Sequence, residues 1–461
     1  MDEIGYLILQ TEFSKKLSES KSGNIVKKKD KNYFLLNFPE LNDKEKNIFL
    51  DILKDLKYSK INISKKADVY FFLKNYCLQN YVILRKDQRE KISQLIEWET
   101  LGDSILEPLI NDPDFEEIVI NGINKPLMIY HNIFGWLTSN VYFTKEDKIR
   151  NLINKIASPL GRQLSFNNPI LNATLTNGSR LNATMDPIAF SGINATIRKF
   201  KENPLTPIDL VNFGTIDKKE MAFLWLTMQT ASSVLICGNT GSGKTTTLNS
   251  LFCFLPKEER IVVVEETPEI VLPQEHKVKM NTAQQVDVGL DKLIENTFRM
   301  RPDRVIVGEV RSPLEGRAFV NTMLAGQAKG SYATFHAESA NEAIERLTSF
   351  NIEKSSLSAL DLIIVQKRIT KINTKNNSRR EERKITEICE IIKDENTIKL
   401  NKLFENGKIV NESTRVKDKI KQTFSFSEKT YQKFLKDKEN VLGKLNKGIS
   451  FNEFFELVEN E

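Results

Sequence analysis

The residues best suited to chemistry are Gly238, Asn239, Thr240, Gly241, Ser242, Gly243, Lys244 and Thr245, which fit the pattern G-x-x-x-x-G-K-[ST] without a mismatch. Glycines at these positions let backbone N–H groups approach a phosphate, and a helix starting at the loop adds positive potential. Lys244 is suited to neutralise β and γ phosphates, the Thr245 hydroxyl to coordinate Mg²⁺, and Thr246 to complete the nucleotide-binding stretch. ATP and Mg²⁺ are therefore the expected ligands.

Hydrolysis needs a group that positions water. In RPDRVIVGEV an apolar run ends in Gly308-Glu309 and places a carboxylate at a strand end, where it can act on water and reach Mg²⁺ through one. IVVVEETPEI ends in Glu265 and Glu266, and SYATFHAES ends in His336. Taken singly, Glu309 could cap a helix, the glutamate pair could be a solvated turn, and His336 could be a buried histidine bonded to backbone. Jointly they place chemistry at the carboxyl edge of one sheet, where open α/β folds bind ligands.

The elements that would hold these groups are legible around them. SVLIC, IVVVEE, RVIVGE, SYATFH and DLIIVQ are solid apolar runs with helical segments between, which predicts a mostly parallel sheet covered on both faces. MAFLWLTMQTA reads as a buried helix rather than a membrane span, because polar residues and the glycine loop interrupt the run. RKITEICEII and TIKLNKLFE predict an edge hairpin, and 416–461 a Lys-rich helical end.

Upstream, short β-rich runs predict strands at 116–120, 126–131 and 135–143, followed by a helix with Ile149, Ile153 and Ile156 on one face. Asn177-Gly178 predicts a hairpin, and SGINATIRKF a further strand. The Asn-Ala-Thr triplets at 172, 182 and 194 read as a repeated strand motif. The expected division is an N-terminal extension, helical or mixed, at 1–92, a smaller mixed α/β domain at 93–200, a Pro-containing linker at 201–212 and the phosphate-loop domain at 213–461.

At 461 residues, 40% of them hydrophobic and 28% charged, the chain has the profile of a globular protein of several domains. Its net charge of +6 is uneven. Residues 1–100 hold 19 basic against 15 acidic side chains, 101–365 hold 26 against 30, and 366–461 hold 22 against 16. Four scattered cysteines offer no C-x-x-C pair, so a reducing cytosol is the expected home. The N-terminus lacks the basic start and long apolar stretch of a secretory signal.

GNTGSGKTTTLNSL, VVVEETPEIVLP, RMRPDRVIVGEVRSPLEGRAF and AGQAKGSYATFHAES, in that order, resemble the Walker A, aspartate, Walker B and histidine boxes of the type II and type IV secretion ATPase superfamily. The form is similar to its archaeal branch, which powers archaella and type IV pili, and the resemblance covers about 101–410. It implies a RecA-like ATPase domain preceded by a smaller, PAS-like α/β domain, assembled as a homo-hexamer with ATP between domains. It also implies a Mg-dependent ATPase at the inner face of the cell membrane, working with a polytopic platform protein and, indirectly, with pilin-like or archaellin subunits. Glu309 then matches the water-activating glutamate, Glu265 and Glu266 the aspartate box, and His336 the last box. Arg180 and Arg198 match the arginines with which the smaller domain approaches the phosphates, in the manner of an arginine finger. Glu266 stands where many relatives have Asp, which leaves open which of the two glutamates acts. The four-cysteine zinc segment of many bacterial relatives is missing.

The alternatives are a nucleic-acid translocating or conjugation-type RecA-like motor and a P-loop protein that binds ATP without turnover. Against stable nucleic-acid binding, the basic excess lies at the two ends while the region of the motifs is acidic.

Overall fold

The structure, a computed structural model, describes residues 5–9, 13, 15–28, 31–58, 63–175, 177–200, 204–282, 288–326, 328–373, 378–395, 397–445 and 448–461. The chain divides into two compact units, Met1–Lys201 and Glu202–Glu461.

The first unit carries strands β1 (Tyr6–Ile8), β2 (Lys15–Glu19), β3 (Gly23–Lys28), β4 (Lys31–Leu36), β5 (Phe115–Asn121), β6 (Pro126–His131), β7 (Gly135–Phe143), β8 (Ile170–Thr174), β9 (Arg180–Thr184) and β10 (Asn194–Arg198). Its helices are α1 (Asp43–Tyr58), α2 (Lys66–Gln79), α3 (Lys86–Thr100), α4 (Glu107–Ile110) and α5 (Glu146–Ala157). The sheet order is β2-β3-β4-β7-β6-β5-β10-β9-β8, with β1 also paired to β7. The expected strands at 116–120, 126–131 and 135–143 are β5, β6 and β7. The helix that follows, α5, buries Ile149, Leu152, Ile153 and Ala157 along one face.

The sheet runs straight through the boundary expected at residue 92. β4 pairs parallel with β7 through Tyr33 and Phe34, and Ile25, Phe34, Ile52, Leu73 and Ile96 share one core with Ile118, Ile129 and Ile153. The Lys-rich polar segments that suggested a separate extension are the solvent faces of elements whose apolar faces enter that core. Asn172 and Asn182, the first residues of two of the Asn-Ala-Thr triplets, are register partners, with Asn182 Nδ2 donating to Asn172 Oδ1 at 2.7 Å.

In the second unit the stretch expected as linker is partly helical: α6 spans Pro207–Asn212, while residues 201–203 lie outside the described residues. Thr206 and Asp209 form a capping box, Thr206 N donating to Asp209 Oδ2 at 2.9 Å, and Pro207 follows at the first helical position. These residues start a helix, whatever the prolines suggest about looseness.

The remaining elements are α7 (Lys218–Met228), β11 (Val234–Cys237), α8 (Lys244–Leu251), β12 (Ile261–Glu265), β13 (Lys277–Asn281), α9 (Leu290–Thr297), β14 (Arg304–Val310), α10 (Pro313–Leu324), β15 (Gly330–Phe335), α11 (Ala340–Ser349), β16 (Leu362–Asn373), β17 (Ser378–Asp394), β18 (Thr397–Glu405), β19 (Lys408–Ile409), α12 (Arg415–Phe424), α13 (Glu428–Lys444) and α14 (Phe451–Asn460). The sheet order is β13-β12-β14-β15-β11-β16-β17-β18-β19, parallel from β13 to β16 and antiparallel beyond.

Successive residues of β11 serve two cores. Val234 and Ile236 pack with Leu224, Trp225 and Phe454, whereas Leu235 and Cys237 pack with Ile294, Phe319 and Ile344. Burial on both faces is why the strands read as unbroken apolar runs. The terminal helices belong to the first of these cores, where Trp225 stacks on Phe254 at 4.9 Å and contacts Phe454. Among the described residues no helix is long and apolar enough to cross a membrane.

Candidate nucleotide site

The glycine-rich loop leaves the end of β11 and closes at the start of α8, in the middle of the sheet. Gly241 and Gly243 have φ of 73° and 94°, which side-chain-bearing residues rarely adopt. At Gly238 a Cβ would collide with the Gln366 carbonyl of β16. Lys244 Nζ donates to the carbonyls of Gly238 at 3.0 Å and Asn239 at 3.2 Å, so the ammonium is held within its own loop. Burial lowers its pKa, opposed by the Glu309 carboxylate. Ser242 Oγ is buried without a hydrogen-bond partner. A glycine-rich loop that carries one ammonium at the start of a helix suits a polyphosphate.

Glu309 owes its direction to a bulge. β14 and β15 are in register at Val307↔Ala333 and again at Val310↔Phe335, so Gly308 and Glu309 together oppose Thr334 alone. Such an extra residue re-aims a side chain beside a site. Thr334 Oγ1 donates to the Gly308 carbonyl at 2.6 Å and fixes the bulge. Glu309 Oε1 lies 2.7 Å from His336 Nε2, and Oε2 takes Arg311 Nε at 2.8 Å and Nη2 at 2.7 Å. Burial lowers the His336 pKa, with nearby Lys244 adding to the effect and Glu309 opposing it. The neutral imidazole therefore donates its Nε2 proton to the carboxylate.

The two glutamates at the end of β12 part company. Glu266 is ion-paired with Arg311 Nη1, so Arg311 ties it to Glu309. Glu265 is 2% exposed, and its Oε1 accepts from the Glu269 and Ile270 N–H groups at 2.8 and 2.9 Å. Burial pushes its pKa up to about 7. Glu265 thus braces the turn after β12, while Glu266 faces the groups around Glu309.

Arg180 and Arg198 lie in the first unit as direct cross-strand partners of β9 and β10. Arg198 is also opposite Glu117 of β5, a carboxyl whose pKa burial raises and Arg198 lowers. Their inward neighbours Leu181, Ala183, Ala195 and Ile197 are buried, which sets the arginines on a row of the sheet's other face.

Four residues near the loop escaped the sequence reading. Arg311 follows Glu309 by two positions but looks like an ordinary charge until β12 and β14 are placed side by side. Gln366 accepts from Thr247 Oγ1 at 2.7 Å, Arg368 N donates to Asn239 Oδ1 at 3.3 Å, and Arg383 Nε donates to the Gly241 carbonyl at 3.0 Å. All three come from the β16–β17 hairpin, whose basic residues gave the available signal. His131, by contrast, is 3% exposed and accepts at Nδ1 from Ile133 N, as befits a structural histidine. Burial raises the Cys237 thiol pKa, as befits a core cysteine.

Magnesium uses oxygen donors, commonly one or two from protein with the rest from phosphate and water. The Thr245 hydroxyl at the start of α8 and the Glu309 carboxylate fit that donor set. Among the described residues no group of three or more His, Cys, Asp or Glu could hold a metal by itself.

Residues 99–452 match the family model described as type II/IV secretion system protein. An uncharacterized protein of Methanocaldococcus jannaschii is 37% identical over 306 residues, covering 62% of this chain and 42% of that protein. A second from the same organism is 32% identical over 294 residues, covering 62% and 53%, so the chain spans about half the length of these two relatives. The type IV secretion system protein VirB11 of Bartonella henselae is 30% identical over 321 residues, covering 57% of this chain and 88% of that protein. Among solved structures, the Legionella pneumophila ATPase DotB aligns with a TM-score of 0.44 at 17% identity, covering 73% of this chain and 86% of that one. With the family match reaching from α3 through the phosphate loop to α14, the chain belongs to the type II/IV secretion system protein family.

Proposed function

We propose that the chain is an ATP-hydrolysing motor subunit that powers assembly or secretion of pilin-like or archaellin filament subunits through a membrane platform protein. The observation that carries the enzymatic part is the placement of Glu309, held by His336 and Arg311, on the strand two positions from the phosphate-loop strand. Family membership supports the transport role, the hexameric ring and a peripheral position at the cytoplasmic face of the membrane.

Lys244 exchanges the carbonyls of Gly238 and Asn239 for the β and γ phosphates, while the loop N–H groups hold the remaining oxygens. Glu309 orients the attacking water and takes its proton as the bond between the γ-phosphorus and the β,γ-bridging oxygen breaks. His336 and Arg311 fix both oxygens of that carboxylate, so little reorganisation is needed at the moment of reaction. Mg²⁺, held by Thr245 directly and Glu309 through water, would spread the charge that develops on the phosphates. Glu266 acts through Arg311, and Arg180 and Arg198 supply transition-state charge from the smaller domain.

Phosphate release from ATP with the purified chain, in Mg²⁺ and in excess chelator, tests this reading. Mg²⁺-dependent release, abolished together with nucleotide binding in Lys244→Ala and unaffected by added DNA, is expected. No release from ATP by the assembled protein, or a several-fold rise on adding DNA, would contradict it.

A further inference from the structure

The phosphate-loop strand β11 divides the site. On one side stand β15 and then β14, which carry His336 and Glu309 at their ends; on the other stands β16, paired in turn with β17. The hydrolysed γ-phosphate has to lie on the Glu309 side. The rest of the nucleotide then extends toward β16 and β17, where three polar side chains meet the loop.

Arg368 and Arg383 are direct cross-strand partners on this hairpin. Like charges placed opposite one another destabilise a sheet unless something offsets them. Arg368 Nη2 has Glu381 Oε1 at 2.5 Å. No described carboxylate lies within ion-pair range of Arg383. Its Nε donates to the Gly241 carbonyl at 3.0 Å, and its Cδ would stand 3.2 Å from a Cβ on Gly243, so the side chain is anchored at the lip of the loop. The two outer nitrogens remain as a fork of donors, the geometry by which arginine takes phosphate bidentately.

We infer that Arg383 is a nucleotide-binding residue supplied by the β16–β17 hairpin, its guanidinium fork taking the α,β-diphosphate end of the nucleotide while Arg368 and Glu381 hold the hairpin against the loop. The inference rests on the nucleotide reading above. It differs from the role given to Arg180 and Arg198, because the diphosphate end is common to ATP and ADP. Arg383 therefore binds ground and transition states alike, which changes KM and leaves kcat alone.

The experiment uses the full chain as wild type, Arg383→Gln and Arg383→Lys. ADP affinity is measured by titration, KM and kcat by phosphate release from ATP, and melting temperature without nucleotide. Arg383→Gln should raise the ADP Kd and the ATP KM together by about tenfold, with kcat within about twofold of wild type and the nucleotide-free melting temperature unchanged. Arg383→Lys, which keeps the positive charge but not the fork, should recover only part of the affinity. Wild-type ADP affinity in Arg383→Gln, a fall in kcat at constant KM, or a drop in melting temperature with no recovery in Arg383→Lys would each overturn the assignment. Failure of the wild type itself to bind ADP would instead remove the nucleotide reading on which it stands.

Discussion

His336 Nε2 lies 2.7 Å from Glu309 Oε1, joining the end of β15 to the bulge of β14. Neither residue is exceptional by itself; the hydrogen bond gives the histidine a task, which is to orient a carboxylate. Because burial and Lys244 hold the His336 pKa below its ordinary value, the imidazole is neutral above pH 6.5. Turnover should therefore be level in this group's contribution at neutral pH and fall as the solution is acidified through the lowered pKa, when the imidazolium clamps Glu309 as an ion pair. A pH–rate profile of His336→Asn, expected to lose that acid limb and about tenfold in kcat, checks the role. An unchanged limb would assign it to another group.

Arg311 holds Glu309 and Glu266 together, so Arg311→Ala should release both carboxylates. A fall in kcat of about tenfold with nucleotide affinity retained is expected. Glu266→Gln should show a smaller loss of the same kind, since it keeps the Glu309 contact. Steady-state kinetics of the two variants with a direct binding titration decide this; a larger loss in Glu266→Gln than in Arg311→Ala would reverse the order of action.

Glu265 makes a prediction about stability rather than turnover. Its folded pKa of about 7 lies above the ordinary 4.5, so the folded state takes up a proton that the unfolded chain releases. The associated stability is fully present below about pH 4.5 and is lost as the pH rises through about 7, at about 1.4 kcal/mol per pKa unit and hence roughly 3 kcal/mol in all. Glu265→Gln keeps an acceptor for the Glu269 and Ile270 N–H groups and has no charge to bury. Denaturant melts should find its stability flat in this respect and at least equal to wild type at pH 8, with ATP hydrolysis retained. Lower stability than wild type at pH 8 would show that the ionised carboxylate stabilises the fold, against a pKa raised by burial.

Arg180 and Arg198 occupy one row of the first sheet as register partners. If they supply transition-state charge, Arg180→Ala and Arg198→Ala should each lower kcat more than they weaken ATP binding. Turnover equal to wild type in both would remove that role.

The positions of the phosphate loop, Glu309 and His336 at the ends of β11, β14 and β15 are legible because an unbroken apolar run marks each of these strands. The division of labour between Glu265 and Glu266 is not, since both end the same strand and only the turn after it buries one and exposes the other. β13 was missed as a strand because it alternates Lys277, Val278, Lys279 and Met280 at the sheet edge, where no second face needs to be apolar. Arg383 was invisible for a different reason. Its meaning depends on β16 and β17 being laid beside β11, a pairing between residues far apart in the chain, whereas the sequence offered only a basic hairpin.

The boundary expected at residue 92 illustrates the same limit. Charge runs and aromatic runs alternate there as they would in an independent extension, and only the parallel pairing of Tyr33 and Phe34 with Thr138 and Ser139 places both sides of it in one sheet.

The proposed role of Glu309 is to position the water that attacks a nucleotide held by the loop from Gly238 to Thr245. Its most direct test is a paired measurement on Glu309→Gln of ATP affinity and single-turnover hydrolysis. ATP affinity within a few-fold of wild type, with hydrolysis reduced by at least about a hundredfold, is the expected result. Hydrolysis at the wild-type rate by Glu309→Gln would contradict the account.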